Sequence, residues 1–306
     1  MDRIEAMTIL IEVVERGSLS AAGRSLRIPL ATVSRKITDL EALLGTKLLV
    51  RGTRRVTLTD AGATYVTAAR RLLEDLRTAE REVAGEMVAP RGELVVTAPV
   101  MFGRLHVLPI VTEFLDAYPE IDVRLPLGDR NLQLADDQID MAVRIGALPD
   151  SSVIATRVGE LRTVVCASPR FLDRSGRPDD PDRIAGLPCI LNDTPMNAGG
   201  WAFRIVGSPA TSNVACRPRL TVSTAEAAME AARRDVGLVR LLHYQVADAV
   251  RDGSLEIVLE AFEPQPVPVH MLHAARGRMP LKMRAFLDFA VPRLRRRLKR
   301  LDAPDR

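Results

Sequence analysis

Apolar residues recur at spacings of three and four through the first part of the chain, then give way to short apolar runs. Ile4, Met7, Ile11 and Val14 fall on one helical face and predict a helix over about Asp2–Arg16 that buries them. Gly17 stops it. Ser18 can cap a second helix, Leu19–Leu26, whose Ala21, Ala22 and Gly23 allow close helix contact. Arg27 and Ile28 make a turn, and Pro29 opens a third helix carrying Val33, Ile37, Leu40 and Leu44, ended by Gly45. Lys47–Val50 and Arg55–Leu58 predict two short strands joined by Arg51-Gly52-Thr53-Arg54. With Thr59 as its cap, a longer helix runs to about Met87. Its Tyr65, Ala69, Leu72, Leu76, Ala79 and Val83 form a heptad seam, suited to a second copy of the chain or to packing on its own.

Ala89-Pro90-Arg91-Gly92 reads as a linker, and strands then alternate with helices. Leu94–Ala98, Ile121–Leu125, Met141–Ile145, Thr163–Ala167, Arg219–Val222, Gly237–Leu241 and Val267–Leu272 predict strands. Helices are expected from Pro99 to near Tyr118-Pro119, from Thr224, over His243–Arg251 and over Leu281–Leu298. The expected class is α+β: a helix-turn-helix with a strand wing over 1–60, a long linker and dimerisation helix over 61–90, and an α/β part over 91–306. That last part is long enough for two lobes, roughly 91–165 with 267–306, and 166–266.

Charge changes the picture at one end only. The chain of 306 residues carries a formal +4. Between Arg16 and Asp60 nine cations (Arg16, Arg24, Arg27, Arg35, Lys36, Lys47, Arg51, Arg54 and Arg55) face only Asp39, Glu41 and Asp60. A local basic field on two helices and a hairpin suits a polyanion, and the geometry is that of a helix laid in a DNA groove with a basic wing beside it.

The run Gly17-Ser18-Leu19-Ser20-Ala21-Ala22, then Thr32-Val33-Ser34-Arg35-Lys36-Ile37, Leu40-Glu41, Leu44-Gly45, Leu48-Leu49, Arg51, Arg54 and Leu58-Thr59-Asp60-Ala61-Gly62 resembles the winged helix-turn-helix of LysR-type transcriptional regulators. More loosely, Leu94–Pro99, Pro119-Glu120-Ile121, Asp140–Gly146 and Val222–Gly237 resemble the effector-binding domain of that family. The resemblance implies two Rossmann-like lobes similar to periplasmic binding proteins, with a small-molecule effector between them. It implies homodimers or homotetramers on double-stranded promoter DNA, with RNA polymerase as a possible further partner, and no cofactor.

On that reading the helix from Pro29 to Leu44 enters the major groove. Thr32 and Ser34 offer hydroxyls to base edges, Arg35 reaches guanine or phosphate, Lys36 meets backbone, and Ser18 lies beside them. Leu30 either meets a thymine methyl or extends the buried stripe. Arg51, Arg54 and Arg55 supply the wing. In the second part, Thr97, Ala98, Pro99, Val100, Met101 and Phe102 place a strand end against a helix start, where free N–H groups favour an anion. By resemblance, Arg144 and Ile145 line the cleft from one lobe and Ser223 and Thr224 close the other. Arg144 holds a carboxylate or a structural ion pair. Asn192 and Trp201 are contacts or, for Trp201, core. Met101 and Phe102 suit an apolar wall, which with the anion site favours an organic or aromatic acid.

Enzyme signals are missing: no G-x-S-x-G, P-loop, G-x-G-x-x-G or H-E-x-x-H occurs, and no metal or catalytic residues are expected. His270 and His273 lie three apart on an expected strand and point to opposite faces. Cys166, Cys189 and Cys216 lack C-x-x-C spacing, and no setting that lowers a thiol pKa is visible. Cys189 and Cys216 become a redox pair only if the fold brings them within about 7 Å. MDRIEAMTIL is amphipathic and unlike a signal peptide, and no apolar run would span a bilayer, so a reduced cytoplasmic setting is expected, with no membrane partner. A ligand-binding protein without DNA is the remaining alternative, and the basic N-terminal module argues against it. The run Arg293–Arg300 is a solvated helix end, or a contact to DNA or another subunit.

Overall fold

The computed structural model describes residues 2–51, 56–83, 89–129, 139–148, 153–192, 200–208, 210–273 and 279–301. The chain divides into two compact units, residues 1–93 and 94–306.

In the first unit, α1 (Arg3–Arg16) is capped by Asp2, whose carboxylate accepts the Ile4 N–H at 2.9 Å, and stops at Gly17. It buries Ala6, Ile9, Leu10 and Val13, while Ile4 is half exposed. The expected inward face, Ile4, Met7, Ile11 and Val14, is therefore mis-phased. The helix is apolar over more than one stripe, and small Ala6 decides which stripe packs. Helix α2 (Leu19–Leu26) follows the Ser18 cap, and Arg27, in the left-handed region at φ 56°, turns the chain into α3 (Leu30–Leu44). Pro29 sits just before α3 rather than inside it. A Cβ on Gly23 would come within 2.9 Å of the Ile28 carbonyl oxygen, so only glycine lets the turn close on α2.

Strands β1 (Leu49–Arg51) and β2 (Val56–Leu58) pair antiparallel, with Leu49 opposite Leu58. Glu41, inside α3, holds them: its carboxylate accepts Leu48 N–H at 2.9 Å and Leu49 N–H at 3.2 Å, and meets Lys47 Nζ at 2.8 Å. Burial pushes that carboxyl up, but Lys47 and the two N–H donors together keep it below its ordinary range. Helix α4 (Asp60–Val83) begins where Thr59 Oγ1 accepts Gly62 N–H at 2.9 Å and donates to Lys47 carbonyl at 2.7 Å. Gly62 is required there, because a Cβ would overlap the Leu48 carbonyl oxygen at 2.0 Å.

The seam expected along α4 divides. Val66, Ala69 and Leu73 are buried, whereas Leu72 and Leu76 are 57% and 37% exposed. Heptad spacing cannot separate two adjacent faces of a helix whose first half also packs on α1 and β2. The expected seam positions Ala79 and Val83 have side chains outside the description, as do residues 84–87.

The second unit holds two five-stranded sheets. It starts on β3 (Gly92–Thr97), followed by α5 (Val100–Phe102), a π-helical turn Gly103–Val107 and α6 (Leu108–Ala117). Then come β4 (Ile121–Arg124), β5 (Met141–Ile145), β6 (Ile154–Leu161), β7 (Thr163–Ala167), α7 (Pro169–Ser175) and β8 (Pro188–Asn192). Hairpin β9 (Trp201–Arg204) and β10 (Thr211–Val214) precedes β11 (Arg217–Val222), α8 (Ala225–Arg233), β12 (Leu238–Leu242), α9 (His243–Arg251), β13 (Glu256–Val258), β14 (Val267–His273) and α10 (Leu281–Leu301). The sheet orders are β4-β3-β5-β14-β6 and β11-β8-β12-β7-β13.

Strand β7 lies wholly in the second sheet, so a lobe cut at 165 would fall inside it. The chain passes between sheets at Arg162 and again after β13. Arg162 joins the two crossings: its guanidinium meets Glu263 at 2.7 and 2.9 Å, and its carbonyl accepts His243 N–H at 2.9 Å.

Candidate DNA-contacting helix and effector cleft

Both ends of α3 are exposed, Leu30 at its start and Leu43 and Leu44 at its end. Pro29 gives it no side-chain cap, and Leu30 is 51% exposed, so Leu30 does not extend the buried stripe formed by Val33, Ile37 and Leu40. Thr32 and Ser34 are half-buried at the same end, and Arg35 is exposed. Lys36 differs from expectation: its ammonium is paired with Glu5 of α1 and only 17% of its side chain is exposed, so it ties two helices together. Ser18 is likewise engaged, its Oγ accepting Ala21 N–H at 3.1 Å as the cap of α2. Arg16 and Lys47 are paired with Glu12 and Glu41. Exposed Arg24, on α2, and Arg27, in the turn, have no acidic partner among the described residues. Sequence reading counted both as charge without placing them at the face, although their position at the end of α2 was the available signal. Arg54 and Arg55 lie outside the described residues, as does the Arg51 side chain.

In the second unit the carboxyl ends of parallel strands carry the expected effector residues. Asn192 ends β8 opposite Val222 of β11, which brings it beside Ser223 and Thr224. Arg104 of the π-turn reaches Glu226 of α8 at 3.9 Å, and Phe102 meets Tyr244 of α9 edge-on at 5.5 Å, so the β3–α5 junction and the second sheet's helices face one another.

One of the anion-binding N–H groups expected at that junction is occupied, and the polar groups beside it are paired. Val100 N–H donates to Asp129 Oδ1 at 3.0 Å, Thr97 Oγ1 donates to the Pro126 carbonyl at 2.7 Å, and the Ala98 carbonyl accepts Gly128 N–H. Asp129 is 29 residues from Val100, beyond any local motif. Thr97, Ala98 and Phe102 are fully buried and Met101 is 7% exposed, so they form core rather than a wall; Pro99 caps α5 and Val100 is 38% exposed. Thr224 Oγ1 caps α8 by accepting Ala227 N–H, and Ser223 is exposed. Arg144 and Ile145 are half-buried on β5, and burial lowers the Arg144 pKa. Trp201 is fully buried with Phe171, Phe203 and Val214. Its place is the core of the second sheet, because a large apolar ring gains more from that burial than its Nε1, which has no hydrogen-bond partner, loses.

Residues 4–63 match the model of the bacterial regulatory helix-turn-helix protein, lysR family, and residues 88–295 match the LysR substrate binding domain. The chain belongs to the LysR-type transcriptional regulators. An HTH-type transcriptional regulator of Xanthomonas campestris pv. campestris is 34% identical over 94% of this chain and 84% of its own. CrgA of Neisseria meningitidis is 31% identical over 95% and 96%. The CrgA structure matches at TM-score 0.60, 30% identity, covering 95% of this chain and 98% of CrgA. The full-length Vibrio cholerae virulence activator AphB matches at TM-score 0.60 and 27% identity, over 95% and 99%. Family and relatives are regulators, not enzymes.

The thiols of this LysR-type regulator are not alike. Cys166 is buried in β7 and its thiol is pushed up to about 12 by burial. Cys189 and Cys216 are neighbours, because β8 and β11 run parallel with Cys189 opposite Pro218, and their thiols donate to the Leu187 carbonyl at 3.5 Å and the Val214 carbonyl at 3.8 Å. The neighbouring Cys189 thiol, the Trp201 backbone N–H and the Arg240 charge lower the Cys216 pKa against its burial, while Cys189 is raised. The expectation of no pKa-lowering setting is corrected here: Arg240 and Trp201 come from strands remote in sequence.

Proposed function

We propose that this LysR-type regulator binds promoter double-stranded DNA as a homodimer or homotetramer through the start of α3, and that a small-molecule effector in the cleft between the two sheets of residues 94–306 changes that binding. The exposed Leu30–Arg35 edge, with Arg24 and Arg27 beside it, carries the first half of the reading. Leu30 supplies an apolar base contact, Thr32 and Ser34 supply hydroxyls, and Arg35 supplies the long donor. Arg51, Arg54 and Arg55 stay assigned to phosphate on charge alone. RNA polymerase remains a partner of the bound state, and the setting cytoplasmic.

For the effector, an organic or aromatic acid remains the favoured class. Asp129 already puts a carboxylate on the Val100 N–H, and an incoming acid would take its place while Arg144, Asn192, Ser223 and Thr224 supply the remaining polar contacts. A thermal-shift screen of carboxylates tests this. A ligand at about 100 times its Kd adds about 2.7 kcal/mol. Asp129→Asn should strengthen an acid's binding by removing the competing charge; unchanged or weaker acid binding in that variant contradicts the displacement.

The neighbouring thiols, Cys216 lowered and Cys189 raised, favour a second signal. A peroxide can oxidise Cys216 to the sulfenic acid with loss of water, and Cys189 can then displace a second water to close a disulfide. Mass spectrometry after peroxide treatment should find the Cys189–Cys216 link, absent in Cys189→Ser; a Cys216 that passes straight to sulfinic acid contradicts it.

A further inference from the structure

The basic run in the last helix has a place in the fold that the DNA and effector sites do not use. Arg293, Arg296, Arg297 and Arg300 recur at spacings of three and four, so they share one face of α10. With His106, Glu113 and Leu301 they line a cavity of about 440 Å³.

Among the described residues its charge is only partly answered. Glu113 alone answers Arg293, at 3.1 Å, and Arg297, at 3.8 Å. Arg296 and Arg300 are exposed and have no acidic partner among the described residues. Arg293 also lies over the Phe289 ring, 3.4 Å from its centroid, which fixes it as scaffold.

The remaining wall is His106, which is 9% exposed and whose Nε2 is buried with no hydrogen-bond partner. Burial first, and the Arg297 charge second, hold its imidazole at about 4. The ring is therefore neutral at ordinary pH and adds no charge of its own. It sits in the π-helical turn Gly103–Val107, a distortion often found at functional sites. Its ring packs between Phe102, at 4.9 Å, and Tyr244, at 5.4 Å.

We propose that this cavity is a second small-molecule site, separate from the cleft, that takes a compact polyanion bearing several carboxylates or phosphates. Arg296 and Arg300 are its charged ligands and His106 its polar wall. A concave cavity of this volume, edged by Leu301 and Glu113, suits a discrete ligand better than a continuous DNA backbone.

Calorimetric titration of the full chain with citrate and with pyrophosphate, at ionic strength matched with sodium chloride, tests the site. Saturable binding of either probe is expected, and the preferred probe names the acid group. The double variant Arg296→Ala/Arg300→Ala should weaken binding at least tenfold with an unchanged melting temperature, because both side chains are exposed. Asp129→Asn should leave probe binding intact, which separates this site from the cleft. Probe binding no stronger than chloride, or full binding by the double variant, overturns the proposal. So does a result in which duplex DNA alone binds this face.

Discussion

At the scale of single residues, His106 makes the sharpest commitment. Its folded value of about 4 lies below the ordinary 6.5, because burial and Arg297 oppose the imidazolium. Between those values the unfolded chain takes up a proton that the folded chain refuses. Stability is therefore complete above about pH 6.5 and falls as pH drops toward 4. The shift sets a loss on the order of 3 kcal/mol. His270 and His273, also lowered by burial, add to the same trend. The Tyr244 phenol packed on His106 is raised by burial and stays neutral across this window. Denaturant unfolding measured at pH 7 and at pH 5 should show the decline, and His106→Phe should flatten part of it. A stability that rises on acidification contradicts the assignment.

Among elements, α3 is held as much by one buried carboxylate as by its apolar face. Glu41 satisfies two backbone N–H groups at the start of the wing and the Lys47 ammonium. Removing it leaves those buried donors unpaired, at about 1–3 kcal/mol each. Glu41→Ala should therefore lower the stability of the first unit by about 3 kcal/mol in a denaturant melt, whereas Glu12→Ala, whose partner Arg16 is mostly exposed, should cost clearly less. Equal effects would show that the clamp is not structural. Glu41 was legible only as part of a family pattern, because its partners are set by how the chain turns after Gly45. The caps at Ser18, Thr59 and Thr224 were legible, since each bond reaches only three residues along the chain. Strand β6 was not, because Thr156, Arg157, Gly159 and Glu160 interrupt its apolar alternation. Nor was the Asp129 carboxylate on Val100, nor the thiol pair, since both depend on contacts between segments far apart in sequence.

For the whole molecule, α4 leaves Leu72 and Leu76 exposed while Val66, Ala69 and Leu73 are buried, Val66 in the core of the first unit. That exposed pair is where a second copy is expected. Leu72→Asp with Leu76→Asp should convert the chain to a monomer in sedimentation without unfolding it, and an unchanged assembly would move the dimer contact elsewhere. A regulator also needs its two units linked in function: the first reads the operator, and residues 94–306 read the signal.

Selecting an operator from random duplexes with the full chain tests whether the exposed start of α3 reads DNA. Affinity for that operator is then compared across salt for the chain and for Arg35→Ala and Leu30→Gln. A two-fold related site is expected, with a loss of about 1–3 kcal/mol for Arg35→Ala, confined to the base it reads. A changed base preference is also expected for Leu30→Gln at unchanged stability, since Leu30 is exposed. Operator preference and affinity indifferent to both substitutions would contradict that role of α3.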